Sequence, residues 1–305
     1  MSSIIKKTVI FTSYECNNHC RFCIDADKKK IPGRNTAEII AEIKAARERG
    51  ATYLELIGGE VTIRRDALEL IKTARDLGFT TISLTTNGRM LSYPDYAEKI
   101  IQAGLTDIVF SIHGYDAASH DYFTRVPGSF AELTQGINNL RALNFQNIGS
   151  NTTIVKQNYR DLEKIGQFIL SQGICNAEFI FVDCNEGAAK NNFSEFVPTV
   201  TEIIPFVKKC LDLGRAAGAL HWHVRYLPLC YLADYLDQIS ELDEVRKFQT
   251  EHSAPDFFNP HAEAGRASVG RVKAPQCQNC KLNNQCEGIW KEYAEKYGLN
   301  ELKPV

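Results

Sequence analysis

Cys16-Asn17-Asn18-His19-Cys20-Arg21-Phe22-Cys23 follows an apolar, β-branched run at residues 8–14. That run reads as a strand emptying into a loop, because β-branched and aromatic side chains suit a pleated surface. Three thiols spaced four and three residues apart in one loop can wrap a single small inorganic object. Thiolates are the usual ligands of iron–sulfur clusters, and a four-iron cube takes four of them. A loop with three leaves one iron open to a small molecule. A structural zinc site is the other reading of the same residues. His19 lies inside the loop, but structural zinc sites usually pair two short knuckles instead of using one uneven triplet.

The rest of the chain sets limits on that loop. With 305 residues and 44% hydrophobic content, it can bury one large core and hold a smaller module beside it. The net charge of -2, from 35 basic and 37 acidic residues, gives no electrostatic footprint for nucleic acid or an anionic membrane. Residues 1–14 carry two lysines and only a short apolar run, which reads as no leader, and no apolar stretch approaches membrane-spanning length. The ten cysteines include two clusters, at 16, 20 and 23 and at 277, 280 and 286. Clusters of this kind argue for metal ligation in a reducing compartment, so a cytoplasmic location is expected.

A repeating unit follows the loop. Residues 36–49 place Ile39, Ile43 and Ala46 at helical spacing and stop at Gly50. A β-rich run at 51–57 ends at Gly58-Gly59; Asp66, with Glu69 three residues on, reads as the capping box of a second helix that closes at Gly78. A strand at 80–85 then ends at Asn87-Gly88, and the cycle returns through 96–103, Gly104 and 106–112. Gly50, Gly78 and Gly104 are 28 and 26 residues apart, the length of one βα unit. Helices at 130–143 and 162–170, each followed by a strand, at 147–155 and 177–183, complete six strands. Alternating strands and helices call for a parallel sheet, and six units are too few for a closed eight-fold barrel.

The Cys-x3-Cys-x2-Cys loop at the head of these units resembles the radical S-adenosylmethionine (SAM) superfamily, over roughly residues 8–183. The resemblance implies an α/β fold, a partial (β/α)6 TIM-like barrel. It implies a 4Fe-4S cluster on Cys16, Cys20 and Cys23 that binds SAM at its open iron and cleaves it reductively to a 5′-deoxyadenosyl radical, which takes a hydrogen atom from the substrate. Gly58-Gly59-Glu60, at the end of the second strand, resembles the segment that contacts the SAM amino group. The two glycines would clear space for the ligand and Glu60 would supply a carboxylate; Val61 stands where family members usually have proline. Ser111 and Asn151 fall where the family holds the ribose and carboxylate, and Phe22 would shield the cluster or touch the adenine. A low-potential electron donor, flavodoxin or ferredoxin, is implied as partner.

Other residues have weaker claims. Cys184, after the apolar strand, is a candidate hydrogen-atom donor in the barrel mouth, or a buried small hydrophobe. Arg125 reads as a loop anchor and His113 as a structural histidine.

Residues 218–275 read as irregular, with Pro228, Pro255, Pro260 and Pro275, before Cys277-x2-Cys280-x5-Cys286. This spacing resembles the start of the SPASM domain or its shorter form, the twitch domain. Trp290 stands where a full SPASM pattern has its next cysteine, so one auxiliary 4Fe-4S cluster is expected, completed by Cys230. Zinc on the same four cysteines is the alternative. A packing helix at 287–297 would seal the module. The expected division is a barrel at 1–217 and an auxiliary-cluster domain at 218–305. SPASM and twitch extensions are frequent in enzymes that mature ribosomally made peptides by epimerisation, thioether or C–C bond formation, which makes a peptide the first expected substrate. The alternatives are a small-molecule or cofactor-pathway substrate and, outside catalysis, an electron-transfer or scaffold protein.

Overall fold

The computed structural model describes residues 4–219 and 221–305. In chain order the elements are β1 (Ile5–Phe11), α1 (Thr36–Glu48), β2 (Tyr53–Ile57), α2 (Ala67–Asp76), β3 (Thr81–Thr86), α3 (Pro94–Ala103), β4 (Asp107–Ser111), α4 (Ala117–Thr124) and α5 (Ser129–Ala142). They continue with β5 (Ile148–Ile154), α6 (Leu162–Ser171), β6 (Asn176–Phe181), α7 (Gly187–Asn191), α8 (Phe193–Phe196), α9 (Val200–Ala216) and β7 (His221–Arg225). The last are α10 (Ser240–Lys247), β8 (Phe248–Ser253), β9 (Phe258–Asn259), α11 (Ala262–Val269), β10 (Arg271–Val272), β11 (Ile289–Trp290) and α12 (Lys291–Tyr297). No helix among the described residues is long and apolar enough to cross a membrane.

Packing divides the chain into two units that do not follow chain order. The first takes the chain to Cys20, Lys28–Ser150 and Lys247–Ala262; the second takes Arg21–Asp27, Asn151–Arg246 and Glu263–Val305. This differs from a single cut after residue 217.

In the first unit, β1 to β4 are parallel neighbours in sequence order, with Phe11 opposite Ile57, Leu54 opposite Ile82 and Leu84 opposite Ile108. The predicted stripe on α1, Ile39, Ile43 and Ala46, is buried; of the stripe that the spacing predicts for α2, Leu70, Ala74 and Leu77, the first two are buried and Leu77 is half-buried at the helix end. Asn35 and Glu38 form a full capping box on α1. Asp66 does not cap α2. Its carboxylate instead receives Arg64 at 2.7 Å and the Thr36 hydroxyl at 2.6 Å, so a stronger charged partner has taken the capping group.

The largest departure lies in residues 218–275, which are not irregular. They form β7, α10, β8, β9, α11 and β10, and β8 pairs parallel with β1, opposite the β2 side, with Val9 opposite His252. The strand escapes sequence reading because Gln249, Glu251 and His252 break any apolar alternation. Its side chains are satisfied from a distance: Glu251 accepts from the Thr8 hydroxyl at 2.6 Å and pairs with Arg49 at 2.6 Å.

In the second unit, β6 and β7 are parallel, with Phe179 opposite Val224. The α9 helix starts on a Thr199/Glu202 capping box and covers the buried Trp222, whose indole donates to the Cys210 carbonyl at 2.9 Å. Gly214 lets that ring in, since a Cβ there would lie 2.2 Å from it. The predicted helix at 287–297 is shorter: Ile289 and Trp290 pair antiparallel with Val272 and Arg271, and α12 begins only at Lys291.

Candidate active site

The first half of the cysteine loop is built by the ends of β1, β2 and β3, as expected where strand C-termini carry the chemistry. Gly58 and Gly59 have φ of 88° and 55°, a region that side chains disfavour. A Cβ on Gly58 would lie 2.7 Å from the Ser13 carbonyl oxygen, and one on Gly59 only 1.9 Å from that of Glu15. The space the glycines clear is therefore filled by the chain just before Cys16, which corrects the expectation that they clear it for a ligand. The Glu60 N–H closes the contact by donating to the Glu15 carbonyl at 2.7 Å.

Glu60 itself is 1% exposed. Its Oε1 accepts from the Thr62 N–H at 3.0 Å, the Thr62 hydroxyl at 2.6 Å and the Thr86 hydroxyl at 2.8 Å; its Oε2 accepts from the Asn87 N–H at 2.7 Å. With four donors on a buried carboxylate, the side chain holds the loops together and does not offer a free group to an ammonium.

Asn87 passes this order to the cysteines. Its amide donates to Asn17 Oδ1 at 2.7 Å and lies 3.8 Å from the Cys16 sulfur, while Arg89 donates to the Asn17 carbonyl at 2.6 Å and pairs with Glu132. The Asn18 N–H points at the Cys16 sulfur at 3.3 Å, and the His19 N–H donates to the Thr124 carbonyl at 2.9 Å. Burial pushes the Cys16 thiol up, and the Asn18 N–H opposes it. Asn87 and Arg89 are the positioning residues that sequence reasoning missed; their only signal was the Asn87-Gly88 turn at a strand end. Ser111, the last residue of β4, is half-buried. Beyond it, His113 and His120 stack at 6.2 Å, and burial holds them down to about 3 and about 4, neutral structural groups as expected of His113.

In the second unit, the third cysteine is fixed by the start of α7. The Cys23 carbonyl accepts from the Ala188 N–H at 2.9 Å, and a Cβ on Gly187 would lie 2.5 Å from it. Phe22 is 7% exposed and Asn151 half-buried. Cys184 is fully buried, its thiol hydrogen-bonded by the Tyr293 backbone and pushed up to about 12 by burial. It packs against α12, so the structure gives it the small-hydrophobe role and not that of an open-mouthed donor.

The C-terminal cysteines lie in the same unit. Burial, and with it the charges of Cys286, Cys277 and Cys280, push the Cys230 thiol up, and the backbone of Leu229 hydrogen-bonds the Cys286 thiol. Cys277 and Cys280 flank a tight turn with a 3.0 Å backbone bond, and the Gly288 N–H points at the Cys286 sulfur at 3.4 Å. No group of three or more His, Cys, Asp or Glu side chains among the described residues converges to hold a metal ion. What fits iron–sulfur clusters at both places is the donor chemistry: half-buried thiols in no disulfide, with backbone N–H groups aimed at Cys16 and Cys286, contacts of the kind that tune such clusters.

The radical SAM superfamily model matches residues 10–169. The chain is 29% identical over 223 residues to a probable GTP 3′,8-cyclase of Saccharolobus solfataricus, covering 72% of this chain and 69% of that protein. It is 34% identical over 151 residues to an AdoMet-dependent heme synthase of Methanosarcina barkeri, covering 49% of this chain and 42% of that one. Among solved structures, SuiB of Streptococcus suis bound to precursor peptide SuiA has a TM-score of 0.70 at 14% identity, over 99% of this chain and 75% of that one. The enzyme anSMEcpe with bound AdoMet and the Cp18Cys peptide has a TM-score of 0.69 at 14% identity, over 98% and 91%. Both share the α/β fold of the partial-barrel class. With the family model matched over more than half its length and the fold shared along nearly all of it, the chain belongs to the radical SAM superfamily of enzymes.

Proposed function

We propose that this radical SAM enzyme modifies a peptide and carries one auxiliary 4Fe-4S cluster on Cys230, Cys277, Cys280 and Cys286. The observation that carries the reading is the backbone of Leu229, which hydrogen-bonds the Cys286 thiol and so sets Cys230, next in the chain, beside the C-terminal knuckle. Support for a peptide comes from the fold, shared with SuiB in its complex with SuiA and with anSMEcpe in its peptide complex. When bound at Cys16, Cys20 and Cys23, the reduced cluster supplies the electron that splits SAM into methionine and a 5′-deoxyadenosyl radical. The protein's part is to hold the loop through Asn87, Arg89 and Ala188, to exclude water and to orient SAM with the Gly58-Gly59-Glu60 carbonyls, Ser111, Asn151 and Phe22. The electrons come from a flavodoxin or ferredoxin, and ten cysteines outside any disulfide suit the reducing cytoplasm.

A small-molecule substrate is the second reading, favoured by the sequence relatives named as a GTP cyclase and a heme synthase. The test uses anaerobically reconstituted protein. About eight irons per chain, falling to about four in Cys230→Ser, supports the auxiliary cluster. Deoxyadenosine release that rises with a co-encoded short peptide, with a mass change in that peptide, supports the peptide reading; a rise with GTP or a porphyrin precursor alone overturns it.

A further inference from the structure

Beyond the end of β7, the second unit holds charged side chains that the SAM site does not use. Arg225 donates to Glu178 at 2.8 Å and Arg266 pairs with Glu287 at 2.7 Å, while Glu244 receives both arginines. These guanidinium groups are matched by carboxylates, as buried charges generally are.

Arg271 is matched far less well. It is 4% exposed, and its Nη1 donates to the carbonyls of Tyr226 at 3.2 Å and Gly288 at 3.4 Å. Its Nε and Nη2 have no hydrogen-bond partner. The carboxylate paired with it, that of Glu241, stands 3.9 Å from Nη2, too far for a hydrogen bond. Glu241 is held where it is, because its Oε1 accepts the Tyr226 N–H at 2.7 Å; its Oε2 is buried and also lacks a partner. Trp290, opposite Arg271 in the β10–β11 hairpin, lies 3.5 Å from the guanidinium by its ring centroid, and its Nε1–H is a third orphan.

These orphans form a pattern. Nε and Nη2 make up one edge of the guanidinium, the edge that takes a carboxylate through two parallel N–H···O bonds. An unmatched acceptor stands beside it. Buried polar groups are rarely left without partners, and here three donors and one acceptor are left so together. Of the three residues, Glu241 stands in the wall of a cavity of about 920 Å³, with Leu242, Val245, Ala264, Ala267 and Glu287.

We infer that Arg271, Trp290 and Glu241 form a binding site for a carboxylate that has an N–H beside it. The carboxylate sits on the Nε/Nη2 edge of Arg271, with the Trp290 indole as third donor, and the neighbouring N–H donates to Glu241 Oε2. Resting on the peptide reading, the ligand is the chain-terminal carboxylate of a peptide, whose own amide N–H lies next to it.

The test follows the two tryptophan indole N–H signals of the full chain by 1H–15N NMR. Trp222, bonded to the Cys210 carbonyl, is the internal control. N-acetylglycine shifts the Trp290 signal saturably and leaves that of Trp222 in place, and N-acetylglycinamide, which lacks the carboxylate, shifts neither. Arg271→Lys, which keeps the charge but loses the fork, weakens binding about tenfold or more. No Trp290 shift with N-acetylglycine, a shift with inorganic phosphate alone, or an undiminished affinity in Arg271→Lys each overturns the site. The wild-type titrations decide by themselves if the variant does not fold. None of these readouts needs SAM cleavage. Loss of the site therefore leaves the peptide reading standing, and a bound carboxylate without peptide processing fails that reading alone.

Discussion

Gly59→Ala tests how the cysteine loop is held. An alanine at φ of 55° costs about 1–2 kcal/mol for its left-handed conformation. The new methyl would also lie 1.9 Å from the Glu15 oxygen, 2.7 Å from its carbonyl carbon and 2.8 Å from its nitrogen, all backbone atoms that no rotamer change can move away. Residue 15 must shift, and the bond from the Glu60 N–H to the Glu15 carbonyl goes with it, a further loss of about 1–2 kcal/mol. The expected cost is about 3 kcal/mol, concentrated one residue before Cys16. Gly78→Ala is the matched control: its φ is 80° but nothing lies within 4 Å, so only the conformational cost of about 1–2 kcal/mol applies. Urea unfolding of the metal-free protein measures both, and iron retained per chain after reconstitution reads the loop directly. Gly59→Ala should bind less iron at Cys16, Cys20 and Cys23, and Gly78→Ala should match wild type. Equal stabilities and equal iron in the two variants would refute the argument.

Three further outcomes are expected. Glu60→Gln places an amide NH2 against the Asn87 N–H or the threonine donors, leaving buried donors facing each other; stability should fall by about 1–3 kcal/mol while SAM affinity, measured by calorimetry, changes little. Because burial holds His113 and His120 down to about 3 and 4, below the ordinary 6.5, the unfolded chain takes up these protons first. Stability is thus full above about pH 6.5 and falls as pH drops from there towards 4, by up to about 1.4 kcal/mol per pH unit for each histidine, and urea midpoints for His120→Phe should decline less steeply over that range. Cys184→Ala should lower stability modestly yet leave deoxyadenosine and product formation intact; loss of product with deoxyadenosine retained would restore the donor role.

The sequence alone determined what depends on near neighbours in the chain. The spacing of Cys16, Cys20 and Cys23 sits within one loop, the apolar stripes of α1 and α2 sit within single helices, and Gly50, Gly78 and Gly104 each end a helix with a local left-handed turn. Those features gave the βα cycle and the family. The tertiary structure alone decided whatever depends on distant partners. The polar strand β8 is a strand because the backbone of β1 offers it hydrogen bonds, not because its own pattern asks for it. Glu60 becomes a buried brace because Thr62, Thr86 and Asn87 converge on it, and Cys184 is sealed because the backbone at Tyr293 reaches it from more than 100 residues away. Nothing in the residues around Arg271 says that one edge of its guanidinium will be left without a partner. Burial and pairing are properties of a side chain's surroundings, and only the folded chain assembles those surroundings.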